Sequence, residues 1–165
     1  SKKSKIFNLF DKAIEAKNNE MLLRALNYTF KEKIDKDYVN YFMRLLPETW
    51  HEEHEEIINL IWLHNLNDDV FSDVLYLIAT NSETYRKNDD ENESTLRKCT
   101  HVLKQINSKK SNQYIEKLKS LYNPNVYSAL ENYNLYLLIV HCFGLFNNSQ
   151  LPSPNSLLMM IRFIS

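Results

Sequence analysis

The sequence predicts an all-α fold, an α-solenoid of stacked antiparallel helix pairs in the manner of HEAT-like repeats. Three observations carry that expectation. Gly144 is the single glycine in 165 residues, where an average chain of this length would hold roughly ten or more. Sheets and tight hairpins need glycine for turns with positive φ, whereas helices joined by short polar turns do not. Apolar residues recur at helical spacing along nearly the whole chain. The stripes are separated by short polar breaks, which is the sequence pattern of helix pairs laid one on the next.

The stripes run in order. Ile6, Leu9, Phe10, Ala13 and Ile14 form one face of a first helix, and Met21, Leu22, Ala25, Leu26 and Phe30 a second, with Asn18-Asn19 between them. Tyr38, Val39, Phe42, Leu45 and Leu46 form a third, which Pro47 helps to end. The acidic stretch His51–Glu56 opens a fourth, with Ile57, Ile58, Ile61 and Trp62 on its apolar face; carboxylates suit the positive end of the helix dipole. Asn67-Asp68-Asp69 breaks the pattern and supplies a cap for a fifth helix with Val70, Phe71, Val74, Leu75 and Ile78. Residues 81–94 are polar throughout and read as a loop. Leu96, Cys99, Val102, Leu103 and Ile106 then form a clean stripe, followed by Asn107-Ser108, by Tyr114, Ile115, Leu118, Leu121 and Tyr122, by Asn123-Pro124-Asn125, and by Val126, Ala129, Leu130 and Tyr133. Asn107 stands where a helix ends in the left-handed conformation, which asparagine tolerates.

The whole reads as one domain over 1–165: N-terminal helices in 1–46, a repeat-like core in 47–133, and an apolar segment in 134–165. In that last segment Arg162 is the one formally charged side chain, and residues 135–146 are apolar nearly all round. Such a segment is expected to be buried, either capping the solenoid or forming a homodimer through 135–164.

Composition narrows function. With 20 basic and 21 acidic side chains the net charge is −1, without the basic excess that drives nucleic-acid binding. The longest apolar run is shorter than the ~20 residues of a membrane span, and the basic N-terminus is not followed by the apolar run of a signal peptide. The expected location is the cytoplasm, without nucleic acid or membrane as partner. Cys99 and Cys142 make no disulfide framework and read as reduced core residues.

Chemistry-bearing patterns are few. His51 and His54 are three apart, not four as in the zinc-protease motif. Their expected role is hydrogen bonding at a helix start, and a metal-dependent protein centred on them is an alternative. His64, His101 and His141 are isolated. Cys99 and His101, two apart on a helix, point in different directions. A phosphate-cradling loop or nucleophile elbow would need glycines that the chain lacks. The pattern predicts no catalytic residues, no cofactor and no metal. Asp89, Asp90, Glu91 and Glu93 form an acidic cluster in the polar stretch, and they are the candidate surface for a basic protein partner.

Several motifs together resemble a known family. Trp50-His51-x-x-His54-Glu55-x-Ile57, then Tyr85 with Asp89-Asp90, then Leu96-x-Lys98-Cys99-x-x-x-Leu103-x-x-Ile106 and the Asn-Pro-Asn unit are similar to the HEAT-like immunity proteins of bacterial polymorphic toxin systems. The resemblance spans roughly residues 45 to 133. It implies a stoichiometric inhibitor that binds a cognate toxin domain, such as a basic nuclease, without turnover. The motif positions carried over are Trp50, His51, His54, Glu55, Tyr85, Asp90, Lys98 and Cys99. Some of these have an equally good structural reading: Trp50 and Cys99 as core, and Asp90 with Lys98 as an ion pair tying the loop to its helix. A general α-solenoid scaffold or adaptor without a toxin partner is the alternative.

Overall fold

The computed structural model describes residues 1–133, and among these it is all-helical. The chain divides into two compact units, Ser1–Leu130 and Glu131–Ser165. The expectations about burial of residues 135–146, about dimerisation through 135–164, and about His141 and Cys142 fall outside the described residues.

In the first unit α1 (Lys2–Ala16) and α2 (Asn19–Thr29) pack as a pair. Lys17 takes a left-handed conformation (φ 47°) to end α1, and the Asn18 side chain accepts the Met21 N–H at 2.9 Å to begin α2. Ile6, Phe10, Ala13, Leu22, Ala25 and Leu26 are buried as their spacing predicts. Phe30 is not: it lies beyond the end of α2 and is 62% exposed. A 3₁₀ turn (Lys36–Tyr38) leads into α3 (Val39–Leu45). Tyr38 and Phe42 are fully buried beside Phe10, and Tyr41 stacks on Phe7 at 4.7 Å and on Phe10 at 5.4 Å. Such ring pairs contribute about 0.5–1.5 kcal/mol each beyond the area they bury.

The remaining helices are α4 (His54–Leu63), α5 (Ser72–Thr80), a single turn α6 (Ser82–Tyr85), α7 (Ser94–Ile106) and α8 (Lys109–Lys119). Helical backbone resumes over 124–130. Asp68 accepts the Val70 N–H at 3.0 Å, capping a 3₁₀ turn that runs directly into α5. The helix that the Asn-Asp-Asp break was expected to open therefore starts as a tighter turn.

Helix α7 is the centre of this part: α4, α5 and α8 all pack on it, and α8 also touches α5. Leu96, Cys99, Val102 and Leu103 meet Ile57, Ile58, Ile61, Leu75 and Ile78 in one continuous core. Asn107 closes α7 at φ 52°, the conformation expected of it. Ser108 and Ser111 then cap α8 reciprocally, each side chain bonding the other's backbone N–H at 2.9 and 2.8 Å.

Among the described residues no helix is long and apolar enough to cross a membrane.

Candidate functional site

A cleft lies between the start of α4 and the connection from α6 to α7. His51, Glu52, His54 and Glu55 line one side, and Tyr85, Arg86, Asn88 and Asp89 the other.

The first wall is built by imidazoles capping a helix end. His51 and His54 are 3% and 2% exposed and their rings stack at 4.5 Å. His51 Nε2 donates to the Leu45 carbonyl at 2.9 Å, and His54 Nε2 to the Glu48 carbonyl at 2.9 Å. Tyr85, packed edge-on against His54, donates its hydroxyl to the Pro47 carbonyl at 3.0 Å. Three side chains thus satisfy carbonyls at and just past the end of α3, where backbone acceptors lack helical partners. The two histidines stand at the start of α4 and are hydrogen-bonded, but the carbonyls their Nε2 atoms engage belong to the end of α3 and the turn after it. Burial lowers the pKa of His51, opposed by its bond to Leu45 and by the Glu48 charge. Burial, with the neighbouring His51, pushes His54 down to about 4, so both rings are neutral at pH 7. Trp50 sits edge-on to His51 at 4.8 Å, partly buried against the core.

The second wall is organised by Arg86, a residue to which the sequence assigns no role. Its side chain is 6% exposed. It donates to the Ile78 carbonyl at 3.2 Å, to Asp89 at 3.1 Å and to Glu93 at 3.1 Å. Asp89 also accepts the Thr95 N–H at 3.1 Å and the Ser94 hydroxyl at 3.4 Å, so it caps α7 from five residues ahead of the helix. Glu93 is left-handed (φ 47°, ψ 59°). Its second oxygen accepts from Asn123 at 2.7 Å and Asn125 at 2.9 Å. Burial acts to raise its pKa, but the bonds from Asn125, Asn123 and Arg86 outweigh it and hold the carboxyl below its usual value.

Three expectations are corrected here. Residues 81–94 are not a plain loop: they contain α6 and a turn closed on Arg86. The four carboxylates do not form one surface, because Asp89, 5% exposed, and Glu93, with both oxygens engaged, turn inward to neutralise a buried guanidinium, leaving only Asp90 and Glu91 exposed. Lys98 does not pair with Asp90. It reaches Glu55 across the α4–α7 contact at 2.7 Å, while Asp90 accepts the Asn92 N–H at 2.9 Å and tightens its own turn. The motif positions Glu55, Tyr85 and Lys98 are therefore ties between elements, and Cys99 is fully buried core.

Other ties close the cleft's edges. Asn88 donates to Glu52 at 2.9 Å, and Asn19 of α2 donates to Glu53 at 3.3 Å. Glu56, half-buried on α4, has its pKa raised by burial. His101 of α7 donates Nε2 to the Ala129 carbonyl at 3.0 Å, and burial takes its pKa down to about 4. Among the described residues no group of three or more His, Cys, Asp or Glu side chains is placed to hold a metal ion.

No family model matches the chain, and no curated protein or solved structure matches it.

Proposed function

We propose that this chain is a binding protein that neutralises a basic toxin domain by forming a one-to-one complex with it. One observation carries the reading: Asp90 and Glu91 are exposed on a connection that Arg86 fixes from within. A rigid acidic edge loses little conformational freedom when a basic partner docks, and its field speeds the partner's approach. Glu52, exposed on the facing wall and bonded to Asn88, adds a further carboxylate beside that edge. The α7-centred packing of α4, α5 and α8 is compatible with helix pairs stacked as in HEAT-like repeats, the arrangement proposed here for the core.

The toxin as partner rests on the resemblance of the motifs in 45–133 to immunity proteins. Immunity proteins of such systems are encoded beside their toxins, so the resemblance implies that the product of the adjacent gene supplies the test. Its purified toxin domain, mixed with this chain, should form a one-to-one complex by light scattering and lose its activity at equimolar ratio. A domain that neither binds nor loses activity leaves a scaffold without a toxin partner as the reading.

A further inference from the structure

The two nitrogens of His51 are engaged in opposite senses. Nε2 faces the Leu45 carbonyl, which can only accept, so Nε2 carries the proton. Nδ1 faces the backbone N–H of Glu53 at 3.2 Å, which can only donate, so Nδ1 is bare. One neutral tautomer satisfies both contacts. Glu53 is the residue on which α4 starts, and its own carboxylate is tied to Asn19 of α2. His51 therefore holds the end of α3 with one nitrogen and the start of α4 with the other.

We propose that His51 is a proton-sensitive latch, and that a proton added at Nδ1 expels the Glu53 amide and opens the turn between α3 and α4. An imidazolium would present an N–H to an N–H there, turning a bond into a repulsion. It would also lie face to face with the His54 ring at 4.5 Å, which is held by Glu48 at its own Nε2.

The surroundings supply little to hold a cation in place. Burial opposes it, against the Leu45 carbonyl and the Glu48 carboxylate, which favour it but do not outweigh burial. Glu52, in the turn, is engaged by Asn88. On α4, Glu55 is engaged by Lys98, and Glu56 is driven by burial toward its neutral form. Across the cleft Asp89 and Glu93 are both turned onto Arg86, with Glu93's second oxygen held by Asn123 and Asn125, while Tyr85 is bonded to Pro47 and Lys87 is exposed. Opening the turn frees Trp50 to Glu53 while the core around α7 has no reason to change. The latch stands independently of the proposed partner.

The test is residue-resolved amide exchange on the full chain between pH 7.5 and 4.5, expressed as protection factors, with the His51 ring followed by its NMR shifts. The Glu53 amide should lose at least tenfold in protection, in step with His51 protonation, while the Leu103 amide in α7 keeps its own. A His51→Asn variant retains an acceptor near the Nδ1 position but takes up no proton, so its Glu53 protection should stay level. Glu53 protection that stays flat while the His51 ring takes up its proton, or a ring that stays neutral down to pH 4.5, would overturn the latch. So would a loss shared by Leu103, or an equal loss in His51→Asn. Should that variant fail to fold, the comparison of Glu53 with Leu103 in the natural chain decides alone.

Discussion

Arg86 and Asp89, three residues apart, form an ion pair at 3.1 Å with both side chains almost sealed from solvent, 6% and 5% exposed. A buried pair is a weak source of net stability, but losing one member strands the other's charge. Arg86→Ala should therefore cost about 3–5 kcal/mol of unfolding free energy, read by urea denaturation. Arg86→Met combined with Asp89→Leu should still be costly, because Glu93 loses its cation and Thr95 loses the Asp89 cap. A loss under 1 kcal/mol for Arg86→Ala would mean the guanidinium is not the hub of this wall.

Acid should destabilise the fold through neutral buried histidines. His54 and His101 stand at about 4 when folded against 6.5 as the ordinary value. Their contribution is complete above pH 6.5, where neither state is protonated. As pH falls from 6.5 toward 4 the unfolded chain takes up protons that the folded chain refuses, so stability is lost across that window. Each shift is worth at most ~3 kcal/mol. Glu56, with its pKa raised, works in the opposite direction. Urea unfolding at pH 7 and pH 5 should show the loss, and His101→Gln should flatten it.

Tyr122 is 81% exposed in a left-handed conformation, φ 54°, which is costly for a bulky side chain. Tyr122→Gly should raise stability by about 0.5–1 kcal/mol, and Asn107→Gly, where asparagine already tolerates φ 52°, should raise it by less. Thermal melts of the two variants give the comparison.

Cys99 is fully buried, and burial drives its thiol far up from the ordinary value. In the native chain it should resist alkylation at pH 8 and react once urea is added, as mapped by peptide mass spectrometry.

Much of the fold was legible because helix packing writes itself in periodic apolar residues. Most apolar residues that the stripes name on α1, α2, α4, α5 and α7 are buried or packed on the core, and Asn107 ends α7 as its side chain allows. Val70, Leu121 and Tyr122, also named in the stripes, lie outside the α-helices and are exposed. Phe30 misled because its spacing fits α2 while the helix stops before it. The site was far less legible. Charge density drew notice to Asp89 and Glu93, but the cation that turns them inward, Arg86, sits in the same polar stretch with no periodicity to mark it. Lys98 and Glu55 pair across 43 positions, a relationship that only the packing of α4 on α7 creates. The backbone carbonyls that engage His51 and His54 carry no sequence signal at all.

The central claim, that an acidic edge recruits a basic protein partner, is tested most directly by association rates. The natural chain and an Asp90→Asn, Glu91→Gln variant would be mixed in a stopped-flow instrument with the toxin domain proposed as its partner, across a series of salt concentrations. Both carboxylates are exposed, so the variant should fold as the natural chain does. Association of the variant should be several-fold slower at low salt and less dependent on salt, with the two chains converging at high salt. Equal rates at low salt would contradict the claim.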